Sequence, residues 1–268
     1  MKKAFWLLGL LISVALFVGC SDNDKGGGDT ALGLPSVPNA TGGELTARPT
    51  APNVVVNESN LNDFAEAFSM MMASGGYYSP EQNSTNKARS VNTNRRARLG
   101  ATNSDRTARS WSPVYSDSGE ETELGDYSGR IDIVWTYNMR YKETANGEEW
   151  NANGTGMARF FNFSHNGNLF LGGALGAAFL DNGYENETGW GDTLEDKVNG
   201  TLRFNGAFEG SITYNNVHIR QTWGYSYITN DYTDDFKVLG GSLTINSGGR
   251  TFSIDAEEFK DFFSLMHF

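Results

Sequence analysis

The sequence predicts a mainly β protein: an antiparallel meander of about eight strands, as an open curved sheet or a barrel, with one N-terminal and one short C-terminal helix. Three observations carry this. Over residues 131–141, Ile131, Ile133, Trp135, Tyr137, Met139 and Tyr141 take every odd position, while Asp132, Thr136, Asn138 and Arg140 stand between them. Strand side chains alternate faces, so this spacing makes one side apolar and the other wet. Asn-Gly recurs six times, at 146–147, 153–154, 166–167, 182–183, 199–200 and 205–206, and both residues tolerate the positive φ of a tight hairpin turn. Finally, Gly129, Gly200, Gly210 and Gly241 each open a Gly-x-(Ile/Leu)-x-apolar run, which reads as a turn glycine leading into a strand.

The chain opens with Lys2-Lys3 and an apolar run over residues 4–18. That run has 15 residues, short of the roughly 20 that a membrane-spanning helix needs, and a basic start before a short apolar core is the secretory signal pattern. It ends at Phe17-Val18-Gly19-Cys20. These residues resemble the lipobox of bacterial lipoproteins, although Phe17 stands where that family prefers leucine. The resemblance implies cleavage of residues 1–19 and acylation of Cys20, palmitate included. Cys20 is the only cysteine of the 268 residues, and lipid gives that unpaired thiol a use. Two or three acyl chains, at about 0.8 kcal/mol per buried CH₂, would hold the protein on a membrane nearly permanently. Ser21 in place of an aspartate implies the outer membrane of a Gram-negative bacterium, by the same resemblance.

Residues 20–58 are rich in Gly, Pro, Thr and Asn, with prolines at 35, 38, 49 and 52, and are expected to form a disordered tether. Residues 59–74 are expected to form an amphipathic helix. Leu61, Phe64, Phe68, Met71 and Met72 fall on one helical face, Ser59 or Asn60 caps it, and Gly75-Gly76 ends it. Residues 75–125 read as an irregular basic linker. Seven basic residues between Lys87 and Arg109 face Asp105 alone, and Arg95, Arg96 and Arg98 offer contacts to an anionic envelope surface. Without its signal the chain carries 19 basic and 32 acidic side chains, net −13. That balance argues against nucleic acid as a partner, and no aromatics interleave the arginines.

The β domain is expected over residues 126–268. Further strands are expected at 201–208, 210–219, 221–229, 236–245 and 250–255, with a bulge at Asn215-Asn216 where the alternation slips phase. Asp255, Glu258, Phe259, Phe262, Phe263 and Met266 have the spacing of a capped C-terminal helix that would cover a sheet edge or a barrel mouth.

The sequence shows little catalytic chemistry. His165, His218 and His267 have no ligand-like spacing, and no nucleophile elbow, P-loop or dinucleotide fingerprint is present. No catalytic residue, metal or cofactor is expected. Carboxylates such as Glu185, Asp192, Asp196 and Asp234 are numerous, but they fall in predicted loops, where solvated charge is the default; a glycan hydrolase needs two of them convergent. Trp135, Tyr137, Tyr141, Trp223, Tyr225 and Tyr227 are the candidate ligand-binding residues, because a sheet face lined with Trp and Tyr takes sugar rings or lipid chains. The expected role is a lipid-anchored, non-enzymatic envelope protein that is structural or binds a lipid, glycan or protein. The alternative is an outer-membrane β-barrel ending at Phe268, disfavoured because the last residues read as helix and a lipid anchor would be redundant.

Overall fold

The computed structural model describes residues 31–46, 53–73 and 110–254. In chain order these form β1 (Val54–Val55), α1 (Leu61–Ala73), β2 (Tyr115–Leu124), β3 (Ser128–Glu143), β4 (Gly147–Ser164), β5 (Leu169–Asn186), β6 (Gly189–Gly206), β7 (Phe208–Ser226), β8 (Tyr232–Ser247) and β9 (Arg250–Ile254). Strands β2 to β9 pair in sequence order, and each neighbouring pair is antiparallel. The short β1 adds to β7 in parallel. Nothing pairs β2 with β9 among the described residues, so the sheet is open, and of the two forms expected it is the curved sheet rather than the barrel.

The alternation of β3 sets the inner face. One row of that face runs from β3 to β9 through Ile133, Ala158, Leu175, Gly200, Tyr214, Leu243 and Ile254. Its apolar members are all buried. The outer face carries cross-strand polar pairs instead: Thr136 with Thr155 at 2.9 Å, Thr201 with Thr213 at 3.0 Å, and Asn138 donating to Asn153 at 3.0 Å.

Several local expectations change. The segments expected as separate strands over 210–219 and 221–229 are one strand, β7, bulged between Asn215 and His218. The anticipated bulge is there, and Asn216 takes a φ of 48°. Of the six Asn-Gly pairs, three sit at hairpin turns: 146–147, 166–167 and 205–206. The other three lie inside strands. Strand β2 begins at Tyr115, within the stretch expected to be irregular. It reads YSDSGEETEL, an edge strand loaded with acidic residues, which keeps other strands from docking and hides the apolar alternation.

A crease runs diagonally across the sheet. It passes the register shift at Phe160/Phe163, then Gly173, the shift at Val198/Gly200, the bulge at Asn216, and Gly241. Gly241 shows why these sites resist side chains: its φ is +87°, and a Cβ there would stand 2.3 Å from the Asn216 carbonyl. Bulges and glycine kinks let strands of 16 to 19 residues bend round a core without closing.

The two ends of the inner face are built differently. At the end holding the β4–β5 and β6–β7 turns, α1 lies against the sheet. Phe64 and Phe68 are fully buried, and the Phe64 ring stands 4.6 Å from Phe204 and 5.6 Å from Phe208. The α1 span matches the periodicity of its apolar residues. Asn60 precedes it, but the Asn60 side chain accepts from the Asn57 amide at 2.7 Å and donates to the Val55 carbonyl, so it ties down the approach rather than the first helical turn. Val56, inside the expected tether, is fully buried, and its amide donates to Ser247 at 2.8 Å.

Residues 31–46, also within the expected tether, run as an extended strap along the outer face beside β4. The Leu32 amide donates to Asn151 at 2.6 Å, Asn153 donates to the Gly33 carbonyl at 2.6 Å, and the Glu44 amide donates to the Phe160 carbonyl at 2.9 Å. The outward positions of β5 are Gly172, Ala174, Gly176 and Ala178. A Cβ on Gly176 would meet the Pro38 carbonyl at 2.2 Å. Small residues on β5 thus make a trench for the strap, and this strand is covered on both sides. Its unbroken run of small and apolar residues follows from that.

Candidate functional site

At the end away from α1, the inner face changes character row by row. Tyr137, Gly154, Phe179, Asp196 and Ile219 form one row across the strands. Asp181 lies in the next, between Ala152 and Leu194. Trp150, Gly183, Asp192, Trp223 and Asp234 form the one beyond. The rim row carries Glu148, Glu185, Trp190, Tyr225 and Tyr232. Aromatic rings and carboxyl groups therefore alternate over this end.

Trp150 organises the centre. A Cβ on Gly183 would lie 2.0 Å from the Trp150 ring, so the indole lies over the glycine where a side chain would otherwise stand. The indole lies beside the carboxyl groups of both Asp181 and Asp192. Asp181 and Asp192 are also hydrogen-bonded to each other, which requires a proton between them. Burial pushes Asp192 up to about 9, and the hydrogen bond and charge of Asp181 add to that; the Thr193 amide and Trp150 oppose it. Burial also raises Asp181, with Asp192 and Trp150 holding it back. Asp196 is buried outright and lies well above the ordinary carboxylate range, first through desolvation and then through the Asp181 charge. One oxygen of each of these three aspartates lacks a hydrogen-bond partner.

The aromatics named from the sequence separate into two sets. Trp135 and Tyr137 are buried in the core, with the Tyr137 ring stacked 6.1 Å from Phe179. Tyr141, Trp223, Tyr225 and Tyr227 gather at the aromatic–carboxyl end. Tyr141 and Tyr227 are 43% and 47% exposed. Tyr227 donates to Glu185 at 3.0 Å, and its ring meets Tyr225 edge-on at 5.8 Å. Trp190 and Tyr232 approach to 6.4 Å beside them.

Sequence reasoning missed Trp150 and Asp181. Asp192, Asp196 and Asp234 were placed in loops as solvated charge. The structure puts them in β6 and β8, facing inward. A signal was present. Trp190, Asp192, Leu194, Asp196 and Val198 hold a strict period of two, so two carboxylates share the face of the apolar residues.

His165 and His218 serve local structure. The buried His165 ring lies in the β4–β5 turn, where Nδ1 accepts from the Asp126 amide at 3.1 Å and Nε2 stands 3.5 Å from Glu123. His218 lies on the outer face, 3.1 Å from Glu195. Burial nudges Glu195 up, but the hydrogen bonds of Arg220 and His218 outweigh it and hold the carboxyl below its usual range. Among the described residues no three of His, Cys, Asp and Glu stand close enough to hold a metal ion. Two hollows of about 280 and 240 Å³ lie under the strap on the outer face, lined by uncharged side chains and backbone, with Arg203 at one margin. Among the described residues no helix is long and apolar enough to cross a membrane. Cys20, Arg95, Arg96, Arg98 and the expected C-terminal helix fall outside the described residues.

Comparison of the chain with protein-family models, curated proteins and solved structures finds no match.

Proposed function

We propose that this chain is a lipid-anchored envelope protein of the outer membrane, non-enzymatic, whose β domain binds its ligand at the aromatic–carboxyl end of the inner face. The observation that carries this is the asymmetry of that face. One end is filled by Phe64 and Phe68 of α1, whereas the other gathers half-buried Trp150, Trp190, Trp223 and Tyr225 round carboxyl groups with unused oxygens. Of a lipid, a glycan and a protein segment, a glycan fits best. Ring faces take the apolar side of a sugar, and a carboxyl pair sharing a proton both donates to and accepts from hydroxyls. The hydrogen bond between Asp181 and Asp192 also favours binding over hydrolysis, since glycosidase carboxyls stand about 5 Å or more apart.

The anchor fits this geometry. Leu32 is bonded to Asn151, near the aromatic–carboxyl end. The chain from Cys20 to Leu32, fully extended, spans at most about 40 Å. Acylation at Cys20 would hold that end close to the membrane, with Arg95, Arg96 and Arg98 available to anionic headgroups. The polar pairs along the outer face support a domain that rests beside the bilayer, because lipid would leave them unsolvated.

Two measurements test this reading. Fractionation of cells expressing Cys20→Ala should move the protein from membrane to soluble fractions; unchanged attachment removes the anchor. Binding of the mature protein to an array of envelope glycans, read against Trp223→Ala, should show a ligand lost in the variant. A ligand retained in full places binding elsewhere.

A further inference from the structure

At the aromatic–carboxyl end, the Asp, Glu, Lys, Arg and His side chains that β3 to β8 turn to the inner face are all acids. Asp181, Asp192, Asp196 and Asp234 face inward by register. Every Lys, Arg and His of β3 to β8 takes an outward position, as Arg159, Lys197, Arg220 and Lys237 illustrate. A concave surface with low-dielectric walls and one sign of charge concentrates counter-ions. Ring faces of Trp and Tyr add to the same negative potential.

Asp196 adds a second observation, a buried carboxyl group with an unpartnered oxygen beside this surface. It is 3% exposed, lies one diagonal step from Asp181, and has an oxygen with no donor. A buried acceptor left unpaired costs about 1–3 kcal/mol, and an ammonium group brings three donors to a cluster that offers mainly acceptors.

We propose that the ligand bound at this end presents an ammonium group, which seats against the carboxyl groups of Asp181 and Asp192 while its carbon skeleton lies on the rings of Trp190 and Trp223. The proposal rests on the reading of this end as the ligand site. It narrows the ligand to amine-bearing sugars or other organic cations. The Trp150 indole, which lies over Gly183, stands beside both carboxyl groups.

The test uses the full mature protein and two trisaccharides that differ at nitrogen alone: a glucosamine trimer with free amines, and the N-acetylglucosamine trimer, which is neutral. Titration calorimetry at one pH and physiological salt should give at least about tenfold tighter binding for the amine form, the scale of a charge-assisted contact. The double variant Asp181→Asn/Asp192→Asn should lose that advantage, its affinity for the amine trimer falling more than its affinity for the neutral one. Trp223→Leu should weaken both, and it serves as the second probe should the double variant fail to fold. Equal affinity for the two trimers overturns the ammonium and leaves the glycan site standing. Amine binding unchanged in the double variant assigns it to bulk acidity and overturns the proposal. No binding of either trimer to the wild-type protein overturns it together with the site.

Discussion

The two ends of the inner face share strands, register and curvature, yet the sequence uses them in opposite ways. At the helix end, Phe64, Phe204 and Phe208 pack ring against ring and exclude water. At the far end, the same alternating positions hold Asp181, Asp192 and Asp196 among Trp and Tyr. Phenylalanine fills space and asks for no partner. Buried aspartate keeps an open demand for a proton, a donor or a cation. The contrast teaches that the first end carries stability and the second is kept at a cost to it, which is the usual mark of a working surface.

That division can be broken by experiment, most severely at the helix end. Phe64→Ala should cost about 3–5 kcal/mol, the range for deleting a fully buried aromatic, seen as a lower urea midpoint. A loss under about 1 kcal/mol would mean that α1 is not part of the core. Gly241→Ala should cost about 2–3 kcal/mol, because its positive φ and the Asn216 carbonyl leave no place for a methyl group. Wild-type stability in that variant would show that the crease is not needed to bend the sheet.

At the carboxyl end the sign reverses. The fold raises Asp192 from its ordinary 3.8 to about 9, so it favours the neutral acid. That contribution is complete below the unfolded value and is lost as pH climbs toward about 9. Asp192→Asn should therefore remove part of the downward slope of stability with pH. It should exceed the wild type by about 1–2 kcal/mol at pH 9 and differ little at pH 4. Urea midpoints at pH 4, 7 and 9 check this, and parallel curves would refute the buried proton. Smallest of all, Tyr232→Ala changes a residue 61% exposed and should shift stability by less than about 0.5 kcal/mol. Its effect should appear in ligand affinity instead.

How much of this was legible depended on whether a residue obeyed one local rule or answered a distant neighbour. The odd-position alternation of residues 131–141 describes β3 directly, because period two is a property of the strand itself. The helix at Leu61–Ala73 was equally open, from its apolar spacing and the glycines beyond it. Asn182-Gly183 shows the opposite case. Locally it is a turn signal, but Gly183 lies mid-strand because the Trp150 ring, 33 positions earlier, occupies its missing side chain. Asp192 and Asp196 were misplaced for a similar reason. A carboxylate reads as solvated until strand pairing shows that its face is covered.

The sequence by itself determined the fold class, the helix and the strand-to-strand order, since periodicity and turn residues act over a few positions. It also named Trp135, Tyr137, Tyr141, Trp223, Tyr225 and Tyr227 as candidate rings, of which the structure buries the first two in the core. Only the tertiary structure decided that the sheet stays open, that residues 31–46 lie in the trench of β5, and that Asp181 meets Asp192 under Trp150. Those outcomes depend on register between strands and on desolvation, and both are set by contacts many residues apart, which no local pattern records.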